Sequence, residues 1–401
     1  MVTTLHRLTP NSIERLEADL EKFSRNKPIG LVLPALYSEF ETLAMQRIVP
    51  ELRTVRYLQR LVVVLAKANQ QQFERARSFF QDFYTPVSVI WVDSDRIQAL
   101  FRMLDDRGLS AGADGKGRSC WLAYGYLLAM RDCGMIALHD CDIVSYDRQR
   151  LARLCYAIAH PHLPFDFCKG YYARVTDRMH GRVTRLFMTP LIRALEGMAP
   201  GTPFLRYLDS FRYALSGEFA MDIDLARVNR IPADWGLEVG VLAEVFRNCA
   251  VSRTCQVDLT DNYEHKHQTL STDDPSKGLA RMTADIAKSL FSTLAAEGVV
   301  FSADHFRSLE VRYVRMAQDT IAPYYADAML NGLKFDRHAE EQAVAVFAKS
   351  MRAAADEFIQ DPRGLPLIPN WNRVLAAIPE FFDLLQDAVE KDARQAPSRA
   401  A

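Results

Sequence analysis

Apolar residues Ile13, Leu16, Leu20 and Phe23 recur at three- and four-residue steps, which predicts an amphipathic helix over 12–25. Asn11 and Glu14 offer a capping box at its start, and Asn26-Lys27-Pro28 breaks it. The period then changes. Residues 29–35, 61–68, 87–93 and 135–144 are short apolar, β-branched runs that read as buried strands, with helical spacing over 39–57, 70–83 and 116–131 between them. Alternating strands and helices imply an α/β fold, a Rossmann-like and mostly parallel sheet flanked by helices. Such sheets take ligands at the carboxyl ends of their strands, so the loops after Leu33, Trp91 and Leu138 are the ones to examine.

Farther on, strand-like stretches at 165–175 and 255–259 mix with helical ones at 183–196 and 234–247. Near residue 275 the character changes. Helices are predicted at 276–297, 303–331, 337–360 and 371–392, the third striped by Val344, Phe347, Met351 and Phe358. Asp361-Pro362-Arg363-Gly364-Leu365-Pro366 is a break, and the tail after Lys391 reads as frayed. The expected organisation is a sheet domain over 1–275, in halves 1–145 and 146–275, followed by a C-terminal α-helical subdomain over 276–401. No internal repeat or low-complexity tract is present.

Composition narrows the function classes. The 401 residues suffice for a large core, and 49% hydrophobic with 25% charged is ordinary for a globular chain. A net charge of −1 provides no global field toward nucleic acid or an anionic membrane. The longest apolar runs fall well short of the ~20 residues that cross a bilayer, and residues 1–8 lack the apolar core of a secretory signal. Seven cysteines, an odd number with no C-x-x-C pair, fit a reducing cytoplasm better than a disulfide framework. No nucleic-acid or membrane partner is expected.

The strongest local chemistry is Asp140-Cys141-Asp142, at the end of a buried strand. Two adjacent carboxylates leaving an apolar sheet are costly unless neutralised. A divalent cation with a taste for hard oxygen, Mg²⁺ or Mn²⁺, would do so and would then hold a departing diphosphate. The plainer alternative is a helix cap at Asp142 and an arginine partner for Asp140. Gly115-Lys116-Gly117 opens a helix with free N–H groups and a flexible cation, suited to a diphosphate or to sugar hydroxyls. By itself, an exposed loop with a solvated lysine is the plainer reading.

His265 and His267 follow a strand, and one of them could complete a metal sphere while the other meets an anionic acceptor. Exposed loop histidines are the ordinary alternative. Glu218 and Glu238 both stand beside glycine, where backbone can approach a ligand closely. For Glu238, a first-turn partner of the helix dipole is the plainer reading. Lys169, Arg174, Arg178, Arg182 and Arg185, with Thr184, make a locally basic stretch fit for phosphate or carboxylate, or merely a solvated helix face.

In order and spacing, these segments resemble the glucosyl-3-phosphoglycerate synthases, retaining glycosyltransferases of the GT-A type. The likeness starts at Leu33-Pro34-Ala35-Leu36 and continues through Gly115-Lys116-Gly117, Trp121, the aspartate motif and Lys169. It then takes in Gly181-Arg182-Val183-Thr184-Arg185-Leu186, Pro190-Leu191, Leu215-Ser216-Gly217-Glu218, Gly236-Leu237-Glu238-Val239-Gly240 and Gln256-Val257-Asp258-Leu259, ending at His265. That covers roughly residues 29–270. Tyr37-Ser38-Glu39 departs from the family's asparagine and glutamate, His267 stands where the family has an asparagine, and the helices beyond 275 extend past its shorter members.

The resemblance implies a nucleotide-sugar half over 1–145 and an acceptor half over 146–275. Pro34, Ala35 and Leu36, with Ser38 beside them, would line the base, and Lys116 would reach the donor sugar or diphosphate. Asp140, Asp142 and His265 would hold the cation. Arg182 and Thr184, with Lys169 and His267, would receive the acceptor, and Glu238 would act at the reacting centre. Glu218 is the candidate to test as a nucleophile. The implied reaction moves glucose from an NDP-glucose, in its UDP or GDP form, to 3-phosphoglycerate. Mannosyl transfer, direct glycosylation of glycerate, nucleotidyl transfer and a non-catalytic helical platform are the rival readings. The C-terminal helices would cap the acceptor site or build a homodimer.

Overall fold

The computed structural model of the chain describes residues 1–8, 12–264, 278–364 and 366–394. Among these, eight strands form one sheet: β1 (Thr3–Leu5), β2 (Ile29–Leu36), β3 (Leu58–Ala66), β4 (Val87–Trp91), β5 (Met135–Leu138), β6 (Phe167–Tyr172), β7 (Phe219–Asp222) and β8 (Thr254–Thr260). Their order is β1-β8-β6-β7-β5-β2-β3-β4. All neighbours run parallel except β7, which is antiparallel to both β5 and β6. The chain steps outward from β2 to β3 and β4, then returns to lay β5 on the other side of β2. Between β2 and β5 lies the switch point at which open α/β sheets bind ligands.

Strands β2 and β3 are nearly continuous apolar runs because both faces of the sheet are covered. Leu31, Leu33 and Val63 pack with Leu16, Met45 and Leu151 of the helices on one side. Val32, Val62 and Val64 join Leu127, Ile286, Phe291, Phe347 and Leu385 on the other, so the C-terminal helices share one core with the sheet. Trp371 is stacked on Trp121, whose indole N–H donates to the carbonyl of Pro369 at 2.8 Å. No helix of the described residues is long and apolar enough to cross a membrane.

Several local expectations are corrected. Ser12 caps the first helix by accepting from the Arg15 N–H; Asn11, the expected partner of Glu14 in a capping box, lies outside the described residues. The predicted 39–57 helix is a 3₁₀ turn, Tyr37–Glu41, and a helix, Leu43–Arg53, parted at Thr42. Thr42 is extended and its hydroxyl bonds the Glu39 carbonyl, an alternative to helical pairing. The predicted 135–144 strand stops at Leu138, where its last partners Val32 and Phe219 end the ladder. The 183–196 helix begins as a π-helical turn, Val183–Met188, before Thr189–Met198 continues it.

Candidate active site

The site is assembled where β2 and β5 leave the sheet side by side. Val32 pairs with Leu138, and the His139 N–H donates to the Val32 carbonyl at 3.2 Å as the chain turns out toward Asp140. His139 itself is buried, and neither ring nitrogen has a partner among the described residues. Burial first, and then the positive charge of Arg150, push its pKa down to about 3, so the imidazole is neutral. Pro34, Ala35 and Leu36 end the adjacent β2, with Leu36 exposed, and exposed Ser38 follows in the 3₁₀ turn.

Lys116 is the first residue of the helix Lys116–Met130 and supplies the centre of the cluster. Its Nζ lies 2.6 Å from Asp140 Oδ1 and 2.9 Å from Glu238 Oε1. Burial works against the ammonium, but these two carboxylates hold its pKa well above the ordinary lysine value. Glu238 is buried in the first turn of the helix Leu237–Asn248, where the positive helix end favours an anion. The start of the Lys116 helix is pressed against 232–233: the Gly117 N–H donates to the Ala233 carbonyl at 3.2 Å. A Cβ on Gly117 would stand 1.9 Å from the Pro232 oxygen, so only glycine permits this approach.

The loop before β7 reaches the same cluster. A Cβ at Gly217 would lie 2.1 Å from Asp140 Oδ2, so any side chain there would occupy the space beside that oxygen. Glu218, next in the chain, is fully buried. Tyr172 donates its hydroxyl to Glu218 Oε2 at 2.8 Å and Tyr263 donates to Oε1, the two rings stacked 3.7 Å apart. Burial first, and then the charge of Asp140, raise the Glu218 pKa against the pull of the two phenols. Lys169, in β6, is fully buried with its Nζ 5.2 Å from the centroid of the Phe219 ring and without a hydrogen bond among the described residues. Burial lowers its pKa to about 8, with Glu238 the strongest opposing charge.

Arg182 and Thr184 belong to a neighbouring cluster. Arg182 Nε donates to Glu340 Oε1 at 2.7 Å, and Arg185 Nη1 donates to Glu340 Oε2 at 2.9 Å. Thr184 is buried within the π-helical turn that follows Arg182. Tyr213 connects the clusters: its ring lies 5.0 Å from that of Tyr172, and its hydroxyl oxygen would be 3.2 Å from a Cβ on Gly181.

Of the residues expected from sequence, the fold thus joins Lys116, Asp140 and Glu238 directly and sets Glu218 and Lys169 within their field. Pro34 to Leu36 stand on the adjoining strand end, and Arg182 with Thr184 stand across Tyr213. Asp142 is half-buried two residues beyond Asp140. The expected ligand His265 and acceptor residue His267 lie outside the described residues. Among the described residues no three His, Cys, Asp or Glu side chains group to hold a metal ion. The hard oxygens of Asp140 and Asp142, with the space kept by Gly217, nevertheless suit Mg²⁺ or Mn²⁺. Tyr172, Tyr213, Tyr263 and Glu340 are the members sequence reasoning missed. Tyr172 ends β6, and Tyr263 follows the end of β8 with its N–H donated to the Ala173 carbonyl at 2.9 Å; no pattern in the sequence pairs the two.

No family model matches the sequence. Over 392 residues the chain is 50% identical to the glucosyl-3-phosphoglycerate synthase of Persephonella marina, covering 98% of this chain and 97% of that protein. It is 39% identical over 400 residues to the glucosyl-3-phosphoglycerate synthase of Methanococcoides burtonii, with the same coverage of 98% and 97%. A similar solved structure is the glucosyl-3-phosphoglycerate synthase of Mycobacterium tuberculosis in complex with Mn²⁺, UDP-glucose and phosphoglyceric acid. Its TM-score is 0.53, it covers 75% of this chain and 89% of that one, and at 21% identity the likeness is one of fold.

Proposed function

The chain belongs to the glucosyl-3-phosphoglycerate synthase family, and from that premise we propose that it moves glucose from UDP-glucose to the free hydroxyl of 3-phosphoglycerate with retention at the anomeric carbon. One observation carries the reading to the residues: the Lys116 ammonium sits between Asp140 and Glu238 at the switch point of the sheet. An ammonium on a flexible stem, shared by two carboxylates, can reach an arriving diphosphate from this position.

Asp140 and Asp142 would hold a divalent cation, and His265, the expected third ligand, lies outside the described residues. When bound, Mg²⁺ or Mn²⁺ supplies Lewis-acid charge to the departing nucleoside diphosphate. Lys116 adds a second positive charge on the same leaving group, and such preorganised charge is the main contribution to the rate. Pro34, Ala35, Leu36 and Ser38 line the base. Glu238 faces the donor sugar. Arg182 and Thr184 receive the acceptor's phosphate and carboxylate, so that its hydroxyl is held in reach of the anomeric carbon; His267, the other expected acceptor residue, lies outside the described residues. Both oxygens of Glu218 are engaged by phenols, which favours a supporting role over nucleophilic attack. Lys169 balances Glu238 and Glu218 from within the protein. All seven cysteines are free thiols, which supports a reducing cytoplasm as the setting.

The test is product analysis with UDP-glucose and 3-phosphoglycerate, in Mn²⁺ and after chelation. The reading expects UDP release matched by a glucosylated phosphoglycerate, lost on chelation. Release of pyrophosphate, equal use of unphosphorylated glycerate, or full turnover in the chelator would sink it. GDP-glucose in a parallel arm decides the base.

A further inference from the structure

Residues 334–340, leading into the helix Arg337–Gln360, are attached to the segment 177–185 at several points. Lys334 donates its backbone N–H to the Asp177 carbonyl at 2.8 Å, and its ammonium lies 3.0 Å from Asp177 Oδ2. Arg178 and Lys334 form an isolated parallel bridge. One turn into the helix Arg337–Gln360, Glu340 projects a buried carboxylate that takes Arg182 on one oxygen and Arg185 on the other. Arg185 is fixed further by donating Nε to the His180 carbonyl at 3.0 Å and by lying 4.7 Å from the centroid of the Tyr324 ring.

We infer that Glu340 is a positioning residue for the acceptor, through which the C-terminal helices set the guanidinium of Arg182. This rests on the assignment of Arg182 to the acceptor. Glu340 engages Nε of Arg182, which leaves the two terminal nitrogens, on a side chain still 30% exposed, to an incoming phosphate or carboxylate. A guanidinium recognises such groups through a planar fork, so its orientation matters as well as its charge. Two arginines against one glutamate also leave one positive charge over for an anion. Buried charges of this kind must be paired to be tolerated, and Glu340 supplies the pairing without occupying the recognising end.

The experiment measures kcat and separate KM values for UDP-glucose and 3-phosphoglycerate, with melting temperature, in Glu340→Gln, Glu340→Asp and Arg182→Ala. Gln removes the charge and keeps the shape; Asp keeps the charge and withdraws it by one methylene. If orientation governs, both raise the KM for 3-phosphoglycerate by about ten- to a hundredfold, the scale of a small misplacement. The KM for UDP-glucose stays near that of the unmodified enzyme in both variants, and Glu340→Asp, which keeps the counter-charge of the two guanidiniums, melts higher than Glu340→Gln, which removes it. An unchanged or lowered acceptor KM in both variants overturns the inference, as does a parallel rise in both KM values with a lower melting temperature. Arg182→Ala separates the premise from the inference: if it leaves the acceptor KM unchanged, the assignment of Arg182 itself has failed.

Discussion

Trp371 lies flat against Trp121, ring centroids 4.0 Å apart and planes inclined by 16°. Trp121 belongs to the helix that begins with Lys116, so a residue near the end of the chain buttresses the element carrying the central cation of the site. Trp371 is fully buried, and its replacement by alanine is expected to cost roughly 3–5 kcal/mol. Urea unfolding should show that loss, with Trp371→Phe recovering a good part of it. An alanine variant within about 1 kcal/mol of the unmodified protein, far below the usual cost of such a cavity, would mean that the stack is incidental.

Lys116→Met removes the cation shared by Asp140 and Glu238. The expected loss in kcat/KM for glucosyl transfer is roughly a hundred- to thousandfold, as for one preorganised group at a developing charge. Arginine should not restore it, because a planar fork does not replace a point charge between two carboxylates. Steady-state kinetics of the two variants check this; near-normal turnover in either counts against the assigned role.

Gly217→Ala places a methyl carbon 2.1 Å from Asp140 Oδ2, closer than any non-bonded contact allows. The carboxylate must shift, and a displacement of that size costs about a hundredfold in rate. Circular dichroism should find the fold intact. Unaltered kinetics would show that the close approach of residue 217 to Asp140 has no catalytic consequence.

The pKa of His139 is held at about 3 by burial and by Arg150, against 6.5 for an ordinary imidazole. Between those values the unfolded chain binds a proton that the folded chain does not, so this residue withdraws stability as the pH falls. At pH 5 the withdrawal is about 2 kcal/mol. His139→Leu should therefore gain about that much relative to the unmodified protein between pH 7.5 and pH 5. Parallel unfolding free energies across that range would contradict the buried neutral imidazole.

Much of this arrangement was legible in the amino-acid order, for a physical reason. Strands covered on both faces, such as β2 and β3, must be apolar throughout, and carboxylates at Asp140 and Asp142 where such a run ends are conspicuous. Gly217 beside Glu218 signalled close backbone approach, and Gly115-Lys116-Gly117 an open helix start with a cation. What escaped depends on contacts between distant segments. Strand β7 is four residues long and has no pattern of its own; only its place between β5 and β6 makes it a strand. Tyr172 ends β6 and Tyr263 lies just past β8, and only the fold brings both hydroxyls to Glu218. Glu340, on an amphipathic helix, reads as one more surface charge, and its partner Arg182 is 158 residues away.

We place Asp140, held between Lys116 and Gly217, at the centre of the proposed sugar transfer. The most direct test is Asp140→Asn, nearly isosteric and uncharged, assayed for glucosyl-3-phosphoglycerate formation from UDP-glucose and 3-phosphoglycerate in saturating Mn²⁺. The account predicts a fall in kcat of at least about a thousandfold, at the upper end for one electrostatic group, in a protein that still unfolds cooperatively. Product formation within about tenfold of the unmodified enzyme, a barrier change of only about 1.4 kcal/mol, would contradict it.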